Sequence, residues 1–170
     1  MITDTETDDR QTFHILMAED DHDDQKLARE AFEAAKLVNE LHIVEDGQEL
    51  IDYLLWTNGF TAENAPRPGL ILLDLKMPRK DGREALAEIK ADPKLCTIPV
   101  VIMTASKRDE RKCRKNDLGA AGYIAKPVTF RGLVEMVGSL GGYWIELVAV
   151  PGKSFGQAIT QNPRDKRASA

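Results

Sequence analysis

Short apolar runs alternate with amphipathic segments along most of the chain. Runs of strand length occupy residues 13–18, 41–44, 70–73, 98–103 and 122–125. Segments with helical periodicity follow these runs, and Gly, Pro or Asp-Gly residues mark several of their ends. Strands that alternate with helices predict an α/β fold, in which a doubly wound, five-stranded parallel sheet is covered by helices on both faces.

Each amphipathic segment has an apolar side that can face this sheet. The first helix is expected to be capped by Asp23 or Asp24 and to extend through Lys36. The residues expected on the apolar sides of the helices are Leu27, Ala31, Ala34 and Val38 in the first, Leu50, Leu54 and Leu55 in the second, Ala85, Leu86 and Ile89 in the third, and Leu133, Val134, Val137 and Leu140 in the last.

The two ends of the chain differ in composition from the middle. Residues 1–12 are almost devoid of apolar side chains and predict a flexible N-terminal tail. Residues 13–141 have the length and the apolar content of one domain. Beyond a Gly-Gly pair, residues 142–152 form an apolar arm, and residues 153–170 predict a second flexible tail. About thirty residues after the last helix are too few for another domain.

Composition narrows the classes of function. A net charge of −5 argues against nucleic acid as the main partner. No apolar stretch approaches the roughly 20 residues of a membrane-spanning helix. The acidic N-terminus is unlike a secretory signal, and two cysteines are too few for a disulfide scaffold. These features predict a cytoplasmic protein with no membrane partner.

Carboxylates follow two of the predicted strands. Glu19, Asp20 and Asp21 follow the first strand, and Asp74 follows the third. The common five-stranded order, 2-1-3-4-5, reverses between these two strands, and ligands bind at such a point beyond the carboxyl ends. Oxygen ligands of this kind suit Mg²⁺, for which Mn²⁺ or Ca²⁺ could substitute. We expect Asp20 and Asp74 to bind the ion, with Glu19 acting through water.

Other groups complete this predicted site. The backbone carbonyl of Lys76 is a further candidate metal ligand. With the ion bound, Asp74 stays ionised and can attack phosphorus as a nucleophile. Thr104 can hydrogen-bond a phosphoryl oxygen, and Lys126 can neutralise another.

Each of these residues also has a simpler interpretation. The sole role of Asp20 and Asp21 could be to cap the first helix, and Asp74 could be an ordinary turn residue. Thr104 and Lys126 are weak signals on their own, because threonine is common near strand ends and most lysines are solvated. The specificity comes from all four elements in this order at one edge of the sheet.

These motifs resemble those of the receiver domains of two-component response regulators. The similarity covers residues 13–140 and includes Glu19-Asp20, LLDLKMPRKDG around Asp74, Thr104-Ala105 and Lys126-Pro127. It implies the flavodoxin-like strand order, a phosphoryl group that Asp74 accepts from a histidine kinase, and Mg²⁺ held by Glu19, Asp20 and Asp74. It also implies a cis peptide bond before Pro127. A receiver is a phosphoacceptor that catalyses only its own phosphorylation and dephosphorylation.

The resemblance further implies a switch and a set of partners. Phosphorylation moves Thr104 and turns Tyr123 inward, which changes the face made by the fourth helix, fifth strand and fifth helix. The acids after the first strand, the long loop before the third strand and GYWIELVAVP near the end are similar to stand-alone regulators paired with bacterial phytochromes. We therefore expect a phytochrome-type kinase as partner.

The apolar arm has two possible positions. Its strand-forming residues either fold back on their own domain or contact a second copy of the chain. The preferred hypothesis is a homodimer through residues 142–150 and the face described above. His14, His22 and His42 are scattered along the sequence and are expected to be structural or exposed.

Two other functions use a similar sheet. Phosphohydrolases of the haloacid dehalogenase type carry a second Asp two residues after the nucleophile, but that position is Lys76 here. A flavin carrier needs a glycine- and hydroxyl-rich phosphate loop, whereas the acids after the first strand would repel a phosphate. The sequence thus favours the phosphoacceptor.

Overall fold

A computed structural model describes residues 13–116, 118–140, 145–149 and 153–158, and beyond residue 140 it describes the side chain of Leu147 only. The predicted tail at 1–12 and the last part of the second tail lie outside the described residues. The strands are β1 (His14–Ala18), β2 (Leu41–Val44), β3 (Pro68–Asp74), β4 (Val100–Thr104), β5 (Gly122–Ala125), β6 (Ile145–Ala149) and β7 (Lys153–Ala158); the helices are α1 (His22–Ala34), α2 (Gly47–Leu55), α3 (Gly82–Ala91), α4 (Lys107–Lys115) and α5 (Phe130–Ser139).

The first five strands form one parallel sheet in the order β2-β1-β3-β4-β5. This confirms the predicted fold and strand order. β1 and β3 are neighbours, and Ala18 pairs with Leu73 in register. The residues that follow these two strands therefore meet at the carboxyl edge of the sheet.

Alternate residues of the strands supply two cores, one on each face of the sheet. Leu16, Leu73 and Ile102 pack with the buried sides of α2 and α3. Ile15 and Leu72 pack on the opposite face with α1 and α5. Strands buried on both faces explain the nearly continuous apolar runs in the sequence.

The first helix differs from its prediction in cap, length and buried side. Asp21 is the N-cap, and its carboxylate accepts hydrogen bonds from the backbone N–H groups of Asp23 and Asp24. The helix ends at Ala34, before the predicted Lys36. Its buried side chains are Ala28 and Phe32, whereas Leu27 and Val38 are exposed. The helix is therefore rotated relative to the stripe that the sequence indicated.

The second helix buries Leu50 and Leu54 as predicted, but Leu55 is exposed. Trp56, directly after it, has a left-handed backbone conformation and ends the helix. Leu55 thus belongs to the last turn, where the chain leaves the sheet.

β6 and β7 form an antiparallel hairpin that contacts α5. Leu147 of β6 is fully buried in the core that also contains Leu133 and Val137. The apolar arm therefore folds back on its own domain in these residues. Lys153–Ala158 lie in the segment expected to be flexible, but they form a strand because they pair with β6.

None of the described helices combines the length and the apolar composition that a membrane crossing needs.

Candidate functional site

Three carboxylates lie together at the carboxyl edge of the sheet. Glu19 and Asp20 directly follow β1, and Asp74 ends β3, so the register of these neighbouring strands brings the three side chains together. One carboxylate oxygen from each lies within 4.8 Å of the others. We refer to Glu19, Asp20 and Asp74 as the acidic site.

Glu19 is the buried member of the acidic site. Its side chain is 1% exposed, and its Oε1 accepts a hydrogen bond from the backbone N–H of Asp21 at 3.0 Å. Its Oε2 lies 2.7 Å from Lys126 Nζ, but no hydrogen bond of suitable angle from the described residues reaches this buried oxygen. Burial raises the pKa of Glu19 to about 7, although Lys126 and the Asp21 N–H act in the opposite direction.

The side chain of Lys126 extends across the carboxyl edge of the sheet and contacts three carboxylates. Its Nζ lies 2.7 Å from Glu19, 3.2 Å from Asp74 Oδ2 and 3.4 Å from Asp24 Oδ2. Burial alone would lower the pKa of Lys126, but the close ion pair with Glu19 and the charge of Asp74 outweigh it and raise the pKa. The ammonium group therefore stays charged at neutral pH. The Lys126–Pro127 peptide bond is cis.

Asp24 also contacts Lys126, although the sequence did not indicate that it belongs to the site. It was a candidate helix cap, but Asp21 takes that position and leaves the Asp24 side chain to face Lys126. The available signal was its place in the first turn of the helix after β1, which begins at the same edge of the sheet.

A cavity of about 680 Å³ opens above Asp74. Asp20, Lys76, Thr104 and Lys126 line it together with Asp74. Thr104 is 5% exposed at the end of β4, and the Lys126 N–H donates to its backbone carbonyl at 2.8 Å. The Lys76 N–H faces Asp74 Oδ1 at 3.4 Å. All predicted residues of the site except Glu19, Tyr123 and Pro127 therefore border one space.

Two glycines hold the loop after Asp74 against the helices. The Gly82 N–H donates to Leu75 O at 2.9 Å, and the Gly47 N–H donates to Lys80 O at 3.0 Å. A Cβ at Gly82 would lie 2.3 Å from Asp74 O, and one at Gly47 would lie 2.2 Å from Lys80 O. Because these neighbours are backbone atoms, a larger residue would have to displace the loop that carries the site.

Tyr123 lies on β5 behind this cavity. It pairs in register with Ile102 on β4, the strand that ends at Thr104. Its ring is partly buried, and the guanidinium carbon of Arg114 lies 4.4 Å from the ring centre. Tyr123 therefore links the strand beside the site to α4.

The ligand atoms and the charge of the acidic site suit a divalent cation. The site offers carboxylate oxygens, the ligands of hard ions such as Mg²⁺. Glu19 Oε2 is buried without a well-formed hydrogen bond, and a cation or its bound water would satisfy it. Lys126 supplies one positive charge against several carboxylates, so a further cation is electrostatically favourable.

The chain belongs to the response regulator receiver domain family, whose model matches residues 15–138. It is similar to the response regulator Rcp1 of Synechocystis sp., with 39% identity over 137 residues that cover 81% of this chain and 92% of the relative. Family membership confirms the resemblance inferred from the motifs. It gives no support to a phosphohydrolase of the haloacid dehalogenase type.

Solved structures show the same relationship. The bacteriophytochrome response regulator RtBRR has 36% identity and a TM-score of 0.73, and the match covers 84% of both chains. The Mn²⁺-bound form of Rcp1 has a TM-score of 0.59 and covers 73% of this chain and 88% of that one. The phosphorylated cyanobacterial phytochrome response regulator RcpA has 42% identity and a TM-score of 0.59, covering 68% and 81%. The protein is thus a receiver-domain response regulator similar to those of phytochromes.

Proposed function

We propose that Asp74 accepts a phosphoryl group from a histidine kinase in a reaction assisted by Mg²⁺. One observation carries the proposal: the Asp74 carboxylate borders an open cavity and lies 3.2 Å from the Lys126 ammonium. A nucleophile, a cation for the phosphoryl group and oxygen ligands for a metal therefore meet at one point.

Glu19, Asp20 and Asp74 would hold the ion, with the Lys76 backbone carbonyl as a further ligand. Bound Mg²⁺ would supply positive charge to the carboxylates and to the phosphoryl oxygens. Mn²⁺ or Ca²⁺ could take its place. The oxygen-rich donor set and the Mn²⁺-bound form of the relative Rcp1 support this assignment.

The side chains then divide the work of phosphoryl transfer. A carboxylate oxygen of Asp74 forms a new P–O bond while the P–N bond to the kinase histidine breaks, and the imidazole leaves. Lys126 Nζ neutralises a phosphoryl oxygen, and the Thr104 hydroxyl donates a hydrogen bond to another. The protein would act as phosphoacceptor and would turn over no separate substrate.

We assign Thr104 and Tyr123 to the conformational switch. Thr104 ends β4 at the cavity, and Tyr123 lies on the adjoining β5. A phosphoryl group that attracts the Thr104 hydroxyl would free space behind it for the Tyr123 ring. Tyr123 would then leave Arg114 and change the face formed by α4, β5 and α5.

A bacterial phytochrome is the proposed kinase, and the similarity to RtBRR and RcpA supports it. The proposed location is the cytoplasm, where such a kinase domain would meet its regulator. The net charge of −5 supports a protein contact rather than a nucleic acid or a membrane as the output.

A homodimer through residues 142–150 and the α4-β5-α5 face completes the proposal. In the described residues the hairpin contains only two strands, so β6 and β7 each keep one edge open beside α5. Such edges favour pairing with another strand. Light scattering at high micromolar concentration, before and after phosphorylation, should detect the dimer, and a monomer in both states would exclude it.

The decisive experiment is incubation with acetyl phosphate and Mg²⁺ followed by intact mass spectrometry. We expect one hydroxylamine-labile phosphoryl group on the native chain and on the control Asp92→Asn, whose carboxylate contacts Lys94 N away from the cavity. Asp74→Asn should gain none, and Asp20→Asn or a chelator should slow the gain strongly. Phosphorylation that persists in Asp74→Asn would refute the proposal.

Transfer from a purified phytochrome kinase tests the partner separately. The regulator should take the phosphoryl group from it faster than from an unrelated histidine kinase. Equal rates would contradict the phytochrome assignment and leave the role of Asp74 intact.

A further inference from the structure

We propose that His14, Glu40 and His42 form a second metal site, selective for Zn²⁺ or a similar borderline transition metal. These residues, the histidine cluster, lie at the amino ends of β1 and β2. The acidic site lies at the opposite, carboxyl ends of the strands. His14 and His42 are far apart in the sequence, but the parallel pairing of the two strands brings them together.

The register of the sheet accounts for this meeting. Ile15 pairs with Leu41, and Leu16 pairs with His42. Because alternate residues of a strand share a face, His14 lies on the face of Leu16, which is also the face of Glu40 and His42. The three side chains therefore project from neighbouring strands toward the same side of the sheet.

The backbone around the cluster is fixed by hydrogen bonds. The Ile15 N–H donates to Glu40 O at 2.9 Å. The buried Asn39 side chain donates from Nδ2 to Phe13 O at 3.0 Å. These bonds join the residues on either side of His14 to Glu40 and Asn39, so the ligand-bearing segments are held before a metal arrives.

The distances match those between ligands of one metal ion. His14 Nδ1 lies 3.4 Å and His42 Nε2 lies 3.3 Å from the same oxygen, Glu40 Oε2. One possible ligand atom from each of the three residues lies within 4.8 Å of the others. Ligand atoms about 2.0–2.1 Å from tetrahedral Zn²⁺ are about 3.3–3.4 Å apart. Two imidazoles and one carboxylate are a known donor set for this ion.

A simple histidine–carboxylate ion pair explains the cluster less well. His14 Nδ1 is buried and makes no hydrogen bond with the described residues, although Glu40 Oε2 is only 3.4 Å away. A metal between the three atoms would satisfy this nitrogen. The His14 and His42 rings stand 85° apart with centres separated by 5.4 Å, so each can direct a nitrogen to a common point.

The surroundings orient one ligand and leave another accessible. Tyr53 packs edge-on against the His42 ring, and its own hydroxyl donates to Pro66 O at 3.1 Å. The side chain of Glu40 is 68% exposed, so water can reach a fourth coordination position. A metal bound here would cross-link β1 to the edge strand β2.

Metal titration of the untagged chain tests the histidine cluster. The buffer contains millimolar Mg²⁺, so that the oxygen ligands of the acidic site are occupied before the second metal is added. Calorimetry with Zn²⁺ should show one ion per chain, and Co²⁺ should give the visible absorption of a tetrahedral complex. His14→Gln, His42→Gln and Glu40→Gln should each weaken binding more than about tenfold. His22→Gln is the matched control, since His22 contacts Glu45 at 3.2 Å outside the cluster, and it should bind as the native chain does.

Thermal unfolding provides a second measurement. Zn²⁺ should raise the midpoint temperature of unfolding for the native chain and for His22→Gln, because binding to the folded state stabilises it. It should leave the midpoint temperature of Glu40→Gln unchanged. The exposed side chain at Glu40 makes this variant the least disturbing to folding. Absence of Zn²⁺ binding to the native chain would overturn the proposal, and so would an affinity as high as that of the native chain in both His14→Gln and Glu40→Gln. Loss of Zn²⁺ binding in Asp74→Asn would place the ion in the acidic site instead.

Discussion

Lys126 Nζ lies 2.7 Å from Glu19 Oε2, although β3 and β4 separate the strands that precede these two residues. The lysine side chain therefore spans the carboxyl edge of the sheet. It contacts Asp74 on the way and balances part of the charge of the acidic site. This contact connects the acidic site to the strand that carries Tyr123.

Lys126→Met should destabilise the protein when Mg²⁺ is absent. Removing one partner of a buried ion pair leaves Glu19 and Asp74 uncompensated, and such changes lower the free energy of unfolding by about 3 kcal/mol. Urea unfolding above pH 7, where Glu19 is ionised in the native chain, measures the loss. Mg²⁺ should restore part of it, because the ion neutralises the same carboxylates.

Lys26→Met is the control for this variant. Lys26 lies 3.8 Å from Glu30 on the exposed side of α1, where an ion pair contributes little. Its unfolding free energy should stay within about 0.5 kcal/mol of the native value. If Lys126→Met behaves like this control, Lys126 does not compensate the acidic site.

Gly82→Ala should both destabilise the protein and slow the phosphorylation of Asp74. The new Cβ would lie 2.3 Å from Asp74 O, so the backbone at Asp74 must move. Overpacking of this kind lowers the free energy of unfolding by about 1–3 kcal/mol. Urea midpoints and the rate of acetyl phosphate labelling report the two effects.

Gly138→Ala is the matched substitution at an open position. In the part of the chain that the structure describes, no atom beyond its chain neighbours and its own helix backbone lies within 4 Å of its added Cβ, and Gly138 is part of α5. Alanine is the better helix former, so this variant should gain about 0.5 kcal/mol and label at the native rate. Normal labelling of Gly82→Ala would contradict the close approach at the loop.

Leu147→Ala should reveal that the hairpin belongs to the core. Leu147 is fully buried among side chains of α5, and truncation of such a leucine lowers the unfolding free energy by about 2–5 kcal/mol. Leu27→Ala, at a side chain that is 45% exposed, should change it by about 1 kcal/mol or less. A similar small loss for both variants would show that the hairpin does not stabilise the domain.

Asp46→Ala should reduce stability in a pH-dependent manner. Asp46 caps α2 through the Glu49 N–H at 2.8 Å and accepts a hydrogen bond from Arg79 Nε at 2.7 Å. Burial opposes ionisation, but Arg79 and the Glu49 N–H outweigh it and lower the pKa of Asp46 below 3.8. Its stabilising effect is therefore complete above pH 3.8 and is lost as the pH falls through the lower folded-state pKa.

Denaturant unfolding of the native chain and Asp46→Ala across this range measures the effect. The free energy of unfolding of the native chain should exceed that of Asp46→Ala by about 0.5–2 kcal/mol at neutral pH, the usual contribution of a cap. This difference should become smaller in acid. Asp81→Ala removes the corresponding cap of α3, a 2.9 Å hydrogen bond from the Glu84 N–H, and is the control at neutral pH. A difference for Asp46→Ala that does not narrow in acid would contradict the lowered pKa.

The predicted strands followed from local patterns, and so did the carboxylates at their ends, whereas the strand order came from the common arrangement of such sheets. A strand buried on both faces needs an apolar run, and a helical connection makes its neighbour parallel. The helix faces were harder to predict. Leu27 and Leu55 fit an apolar stripe but are exposed, because the rotation of a helix on the sheet depends on all of its packing partners.

Other features required contacts between distant segments. Asp24 appeared to be a helix cap until the structure placed it beside Lys126, and the histidine cluster depends on the register between β1 and β2. The hairpin likewise exists because Lys153–Ala158 find β6 as a partner. Neither the histidine cluster nor the hairpin has a signal within a single element, whereas Asp24 had only its place in the first turn of α1.

The order of apolar and polar residues alone determined that this chain forms a five-stranded parallel sheet with acids at one edge. Buried strands appear in the sequence as apolar runs, and the residues at strand ends follow these runs directly. The tertiary structure alone decided which side chains meet across that sheet. The physical reason is that distances of about 3 Å between side-chain atoms depend on strand register, helix rotation and side-chain direction, which neighbours distant in sequence impose together.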